Sequence, residues 1–402
     1  MSETKTHPNS HPRWKRLLFR SLAICLPLLL VECGARVVVA FRVGPSVLMY
    51  GFVSQQKEVE GTRIGYPDQR VGLYRKYAPN QIRYDYDPET QERFRVTIND
   101  KGFRGADFEA DKAPEVTRVL SLGASSTFGY FARDDETYPS YLEEILTEAC
   151  PGRTFEVLNL GIPHLRSEDI LALFLAEAIS YEPDIVTYYQ GINDNVSVTG
   201  TRKKLRKMRA LRSIFHWFRR RSVLLTYSDL ALTEGRERYD ASQIDAHLGT
   251  RVQEYLRNVA SIYAECRKRD IAFVVATQQA QSMLIPNRID LRGLTYGEEL
   301  DRVRMKLEKE HWLAKRELHF VTHAALMDGL RSWAESDHVP FVDAIAALDR
   351  DRDVLVSWVH LSPEGNRRLA RELARGIVDE IHRTHRVEAP FCNPDLAGAD
   401  PG

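Results

Sequence analysis

Between residues 117 and 383, short apolar runs alternate with longer stretches whose apolar positions recur every three or four residues. The short runs, at 118–122, 155–160, 184–189, 271–276 and 339–342, read as strands buried on both faces. The longer stretches, at 138–149, 167–179, 244–268, 323–336 and 363–383, read as helices. Pro363 opens the last of them, where its missing N–H leaves no intrahelical bond unmade. Strands separated by helices predict one five-stranded parallel sheet covered on both faces, an α/β/α arrangement of three layers. The pattern upstream is different. Residues 42–112 are rich in Tyr, Gly, Pro and charge, with short alternating stretches such as Phe94-Arg95-Val96-Thr97-Ile98 and a tight turn around Asn99-Asp100-Lys101-Gly102. They predict short strands and turns without an independent core.

The first forty residues follow a third pattern. Lys5, Arg13, Lys15, Arg16 and Arg20 precede an apolar run over 21–31; then come Glu32, Arg36 and a second apolar stretch over 37–41. The first run alone makes a helix of about 16 Å, short of the roughly 30 Å hydrocarbon core of a bilayer. Joined through to Phe41 the segment is long enough, because Glu32 and Arg36 stand four apart with the acid first and can neutralise each other on one face. An uncleaved anchor is the first reading, a cleaved signal segment the second, and a buried or interfacial helix the third. The basic flank predicts a cytoplasmic N-terminus, with the remaining chain outside.

Composition narrows the choice only a little. Lys+Arg and Asp+Glu each number 56, so no global field favours nucleic acid or acidic partners. Of five cysteines, Cys25 and Cys33 fall in the apolar segment, and Cys150, Cys266 and Cys392 are widely spaced. No CxxC pair or Cys/His spacing occurs, so the sequence supports neither a disulfide framework nor a metal site, and no cofactor is called for.

In open parallel sheets ligands bind beyond the carboxyl ends of the strands. After the first strand stands Gly123-Ala124-Ser125-Ser126-Thr127-Phe128-Gly129, a tight turn that presents Ser125 at a helix start. There its N–H and the helix dipole suit an oxyanion; a phosphate-cradling or purely structural loop is the alternative. Asn159-Leu160-Gly161-Ile162-Pro163-His164 follows the second strand and Gly191-Ile192-Asn193-Asp194 the third. The Asn193 amide can donate to a developing negative oxygen; the alternative is that these side chains only satisfy turn backbone. Near the end, His360-Leu361-Ser362-Pro363-Glu364-Gly365 places a histidine just ahead of a helix, where a histidine is most often a cap or surface residue.

Taken together and in this order, these blocks resemble the SGNH (GDSL-like) hydrolase superfamily over residues 115–380, in a variant without the usual Asp after Gly123. The segment Asn99 to Gly105 is similar to one that precedes this domain in bacterial membrane-anchored relatives. The resemblance implies a flavodoxin-like fold and acyl transfer through Ser125 as nucleophile and His360 as base. It implies oxyanion donors from the Ser125 N–H, a second-block N–H and the Asn193 amide. Two positions depart from the family pattern. His164 stands where the second-block glycine is expected; the backbone N–H survives, but the imidazole narrows the approach. The triad acid is expected three residues before the histidine, where this chain has Ser357. A hydroxyl orients an imidazole but does not stabilise imidazolium as a carboxylate does. Asp343, Asp351 and Asp353 are the carboxylates that a different loop path would have to bring in.

The resulting expectation is an esterase or deacetylase acting on an acylated small molecule, glycan or lipid, with transfer to a hydroxyl acceptor as a close variant. A membrane-tethered binding or assembly protein is the rival. Its parts are a cytoplasmic N-terminus (1–16), an anchor or signal segment (17–41), an extension (42–112), the hydrolase domain (113–386) and a tail (387–402). Residues 201–221 hold ten Lys/Arg and no acid, with Leu205, Met208, Leu211, Phe215 and Phe218 at helical spacing. They predict an amphipathic helix on an anionic membrane surface, against a solvated helix or, last, a nucleic-acid contact. Residues 278–304 are expected to cover the site as a mobile segment.

Overall fold

The computed structural model describes residues 13–43, 48, 64, 67–87, 90, 92–195, 222–225, 238–282, 294–349, 352–384 and 392–393. The basic stretch 201–221 and Asp351 lie outside them.

In chain order the elements are α1 (Arg13–Val43), β1 (Gln69–Val71), β2 (Tyr74–Lys76), β3 (Gln81–Tyr86), β4 (Arg93–Ile98), β5 (Val116–Gly123), α2 (Ser125–Phe128), α3 (Tyr138–Ala149), β6 (Thr154–Gly161) and α4 (Ser167–Ala176). Then follow β7 (Ile185–Tyr189), β8 (Tyr239–Asp240), α5 (Ala241–Arg267), β9 (Ala272–Ala276), α6 (Tyr296–Glu310), β10 (Trp312–Leu313), α7 (Lys315–Ser336), β11 (Phe341–Val342), α8 (Ala344–Asp349) and α9 (Pro363–Thr384). Five strands form one parallel sheet in the order β11-β9-β7-β5-β6. This is the α/β fold expected from the alternating pattern.

Strand periodicity sorts the core. Leu120, Leu122, Val186, Tyr188, Phe273 and Val275 face one side, against α4, α5 and α7. Their neighbours Val119, Ile185, Val274 and Ala276 face the other, against α3 and α9. A side-chain period of two thus puts successive apolar residues into two separate cores. Parallel pairing aligns the strand ends, with Gly123 opposite both Gly161 and Tyr189, and Tyr189 opposite Ala276. Every loop that follows these four ends therefore opens on one edge.

The extension has no core of its own. Ile64, Tyr77, Phe94, Val96 and Ile98 bury themselves together with Phe128 of α2. Arg104 enters from the same side, with its guanidinium donating to Phe128 O (2.9 Å), Gly129 O (2.6 Å) and Ala132 O (2.6 Å) and pairing with Asp134 (3.0 Å). Burial lowers the Arg104 pKa, while Asp134 acts to raise it.

Helix α1 runs for 31 residues, and its apolar part, Leu18–Phe41, is long enough to cross a membrane. Residues 18–31 are exposed all round, whereas Glu32, Arg36 and Val39 lie on a partly covered face. Glu32 pairs with Arg36 (3.1 Å) and also accepts from Ser222 Oγ and Val223 N, each at 2.7 Å.

Three expectations need correction. Cys150 and Cys392 form a disulfide that closes a separation of 242 residues, and Asn393 N donates to Ala149 O beside it at 2.7 Å. Spacing along a chain says nothing of such a pair, because folding alone brings the α3 end to the tail. Of the segment 278–304, expected to cover the site, the described parts pack into the fold instead: Gln278, Gln279 and Gln281 are buried, and Tyr296 starts a helix opened by a Thr295/Glu298 capping box. Helix α7 begins at Lys315, eight residues before the expected start, because Glu317 reaches back to the Ala314 N–H at 2.8 Å.

Candidate active site

Ser125 is the first residue of the single-turn helix α2. The turn can form because Gly123 and Gly161 lack side chains: a Cβ on Gly161 would stand 2.2 Å from Phe128 N. Thr127 Oγ1 then ties the turn to the end of β7 by donating to Tyr189 O at 3.1 Å.

His360 comes from the far end of the chain. Val356 N donates to His360 O (2.9 Å) and Ser362 N to Val354 O (2.7 Å), closing a tight loop just before α9. The loop aims the imidazole at Ser125, with Nε2 standing 2.8 Å from its Oγ. Both residues are nearly buried, at 9% and 4% exposure. Tyr130 and Phe131 flank the ring, with centroids 5.2 and 5.8 Å away.

On the other side of the ring, Ser357 Oγ lies 2.9 Å from Nδ1 and also accepts from His360 N (3.1 Å) and Val359 N (3.3 Å). A hydroxyl therefore occupies the place where a triad carboxylate is expected. Of the alternative acids, Asp343 is engaged by Thr277 Oγ1 and Arg331, and Asp353 is exposed.

The oxyanion candidates lie on three loops. Asn193 donates one amide N–H to Leu165 O at 2.9 Å, and an amide nitrogen carries a second donor. Asp194 has a structural task. Its buried carboxylate accepts from Ser167 N, Ser167 Oγ and Gln190 Nε2, fixing the start of α4, and burial raises its pKa. His164 holds a positive φ of 71°, the conformation that a glycine adopts without strain. Its own pKa is lowered, first by burial and then by His360 nearby.

Two residues that sequence reasoning passed over hold these loops in register. Gln278, just beyond β9, accepts from Ile192 N at 2.9 Å and donates to Ser126 Oγ at 3.0 Å, bridging the Asn193 and Ser125 loops. Gln281 donates to Ser357 O at 2.6 Å and, through its backbone, to Trp358 O at 2.9 Å, bracing the histidine loop. Their signal was present: three of the five residues after an apolar strand are glutamines, on the edge where the other candidate loops lie.

A serine, a histidine and clustered donors at this edge suit attack on a carbonyl. Residues 121–368 match the model of the GDSL-like Lipase/Acylhydrolase family. The chain belongs to this family. It is thus a member of a group of carboxylic-ester hydrolases, and the matched span carries Ser125, Asn193 and His360 alike. No curated protein matches this acylhydrolase significantly. Among solved structures, the acetylxylan esterase Axe2 from Geobacillus stearothermophilus shares 18% identity with it, over 65% of this chain and 94% of that one, with a TM-score of 0.37. A protein of the G-D-S-L lipolytic family from Desulfitobacterium hafniense shares 13%, over 65% and 99%, also with a TM-score of 0.37.

Proposed function

We propose that this acylhydrolase is a membrane-anchored, extracytoplasmic serine esterase or deacetylase, with Ser125 as nucleophile and His360 as base. The observation that carries the reading is the 2.8 Å approach of His360 Nε2 to Ser125 Oγ. In the reaction His360 takes the hydroxyl proton while Oγ bonds to the ester carbonyl carbon. The N–H groups of Ser125 and His164 and the Asn193 amide hold the oxyanion. The C–O bond to the alcohol breaks, the alcohol leaves with the proton from His360, and water releases the acid from the acyl-enzyme by the same steps in reverse. Transfer to a hydroxyl acceptor uses the same intermediate.

Two observations support the location. Leu18–Phe41 is long and apolar enough to span, behind a basic flank. The Cys150–Cys392 disulfide suits an oxidising compartment outside the cytoplasm. The basic stretch 201–221 is proposed as a further contact with anionic lipid. The substrate class is an acylated small molecule, glycan or lipid, and the extension from residue 42 to 112 acts with the hydrolase domain as one catalytic body. The rival reading, a tethered binding protein, rests on the hydroxyl of Ser357 in the acid's place.

Hydrolysis of short-chain aryl esters by the full chain in detergent tests the proposal. Ser125→Ala is expected to abolish turnover and labelling by a fluorophosphonate. Turnover that survives in Ser125→Ala, or a wild-type protein inert to both ester and label, removes the serine-esterase reading.

A further inference from the structure

The three contacts of Ser357 Oγ carry a consequence for His360. Ser357 is 1% exposed, so bulk water does not complete its hydrogen bonding. A hydroxyl has one proton and two acceptor lone pairs. The backbone N–H groups of Val359 (3.3 Å) and His360 (3.1 Å) can only donate, and both point at this oxygen. They use its acceptor capacity. The third neighbour, His360 Nδ1 at 2.9 Å, is then met by the hydroxyl proton. Nδ1 must accept, so the single proton of the neutral ring sits on Nε2, facing Ser125 Oγ at 2.8 Å.

We propose that Ser357 is a positioning residue that latches His360 in the tautomer unable to take the Ser125 proton. This rests on the assignment of Ser125 and His360 as nucleophile and base. At rest the imidazole donates to Ser125 instead of accepting from it, and the site is held off. Turnover requires Nε2 to lose its proton and Nδ1 to gain one by exchange with water; Ser357 must then turn its own proton away from Nδ1 and give up one of its backbone N–H bonds to accept from the ring. A carboxylate at 357 has no such conflict. It presents about four acceptor sites and no proton, so it can take both backbone N–H groups and Nδ1–H together. The latch thus follows from a donor and acceptor count at one buried oxygen, separately from any loss of imidazolium stabilisation.

The test combines spectroscopy with rates on the full chain. In protein labelled with ¹⁵N-histidine, two-bond ¹H–¹⁵N correlations distinguish a protonated Nε2 from a protonated Nδ1. Wild type is expected to show His360 protonated at Nε2, and Ser357→Asp at Nδ1, with aryl-ester kcat rising tenfold or more. A wrongly held tautomer costs about 10⁴-fold in the chymotrypsin-type triad, which bounds the gain. Ser357→Ala separates the latch from an ordinary triad role. Loss of the latch raises the Ser357→Ala rate above wild type, whereas an unchanged or lower rate shows that Ser357 does not hold the site off and overturns the proposal. Nδ1–H in the resting wild type overturns it equally. Failure of the underlying assignment looks different: Ser125→Ala retains its rate while the tautomer signals stay as described.

Discussion

Arg104 links the extension to the turn that carries Ser125, and its removal can be worked through quantitatively. Its side chain is 1% exposed, and its donors reach Phe128 O, Gly129 O and Ala132 O as well as Asp134. Arg104→Met keeps much of the volume and deletes every donor. Phe128 O retains Asn159 Nδ2 at 3.4 Å, and Gly129 O retains Ala132 N at 3.3 Å, so these two carbonyls stay weakly satisfied. Ala132 O loses the guanidinium donor and is left buried, at about 1–3 kcal/mol. Breaking a buried ion pair costs about 3–5 kcal/mol. The Asp134 side chain is 32% exposed, however, and water can take over part of its charge, which places the expected loss near the low end, about 3 kcal/mol. Arg104→Lys keeps a cation but cannot span three carbonyls, and about half the loss is expected. Urea unfolding gives the stability change, and aryl-ester turnover under conditions where both variants stay folded gives the effect on the site. Turnover is expected to fall at least tenfold with Arg104→Met, because the carbonyls it releases belong to α2 and the turn just after it. A stability loss below about 1 kcal/mol refutes the energetic argument. Full turnover in a destabilised but folded variant refutes the link to Ser125.

Two further outcomes follow from buried groups. His319 and His323 are both pushed down to about 3, chiefly by burial, from the ordinary value of 6.5. Between those values the unfolded chain binds more protons than the folded one, so stability is complete above about pH 6.5 and falls on acidification, by up to about 1.4 kcal/mol per pH unit for each histidine. Urea midpoints at pH 7 and pH 5 measure the slope, which His323→Asn should reduce; a midpoint that does not move with pH contradicts the assignment. Cys392→Ser opens a loop of 242 residues and should cost about 2–5 kcal/mol, seen as a lower thermal midpoint than wild type under non-reducing conditions. Equal midpoints would show that the disulfide contributes nothing to stability.

The sheet was legible because its strands are short apolar runs between helical stretches, and the site because its loops follow strand ends in a recognisable order. Ser125, Asn193 and His360 all stand where a strand or a helix start defines the local geometry. Ser357 was legible as an anomaly three residues before His360, but the two backbone bonds that occupy its oxygen were not, since they depend on the bridged loop from Val354 to Ser362. Arg104 read only as part of a turn motif; its role depends on α2 folding against the extension. The Cys150–Cys392 pair, the Glu317 cap that starts α7 early and the clamp by Gln278 share that origin, being contacts between segments far apart or hydrogen bonds that no periodicity encodes.

The order in which the ribosome delivers the parts gives the distance along the chain from Ser125 to His360 a second meaning. Ser125 emerges 235 residues before His360, and Cys392 comes later still. A growing chain carries the serine long before the histidine that packs against it, so no product truncated ahead of residue 360 holds the pair. A chain that stops short of residue 360 lacks the histidine that stands 2.8 Å from Ser125 Oγ, so the pair exists only once synthesis has passed the final loop before the last helix.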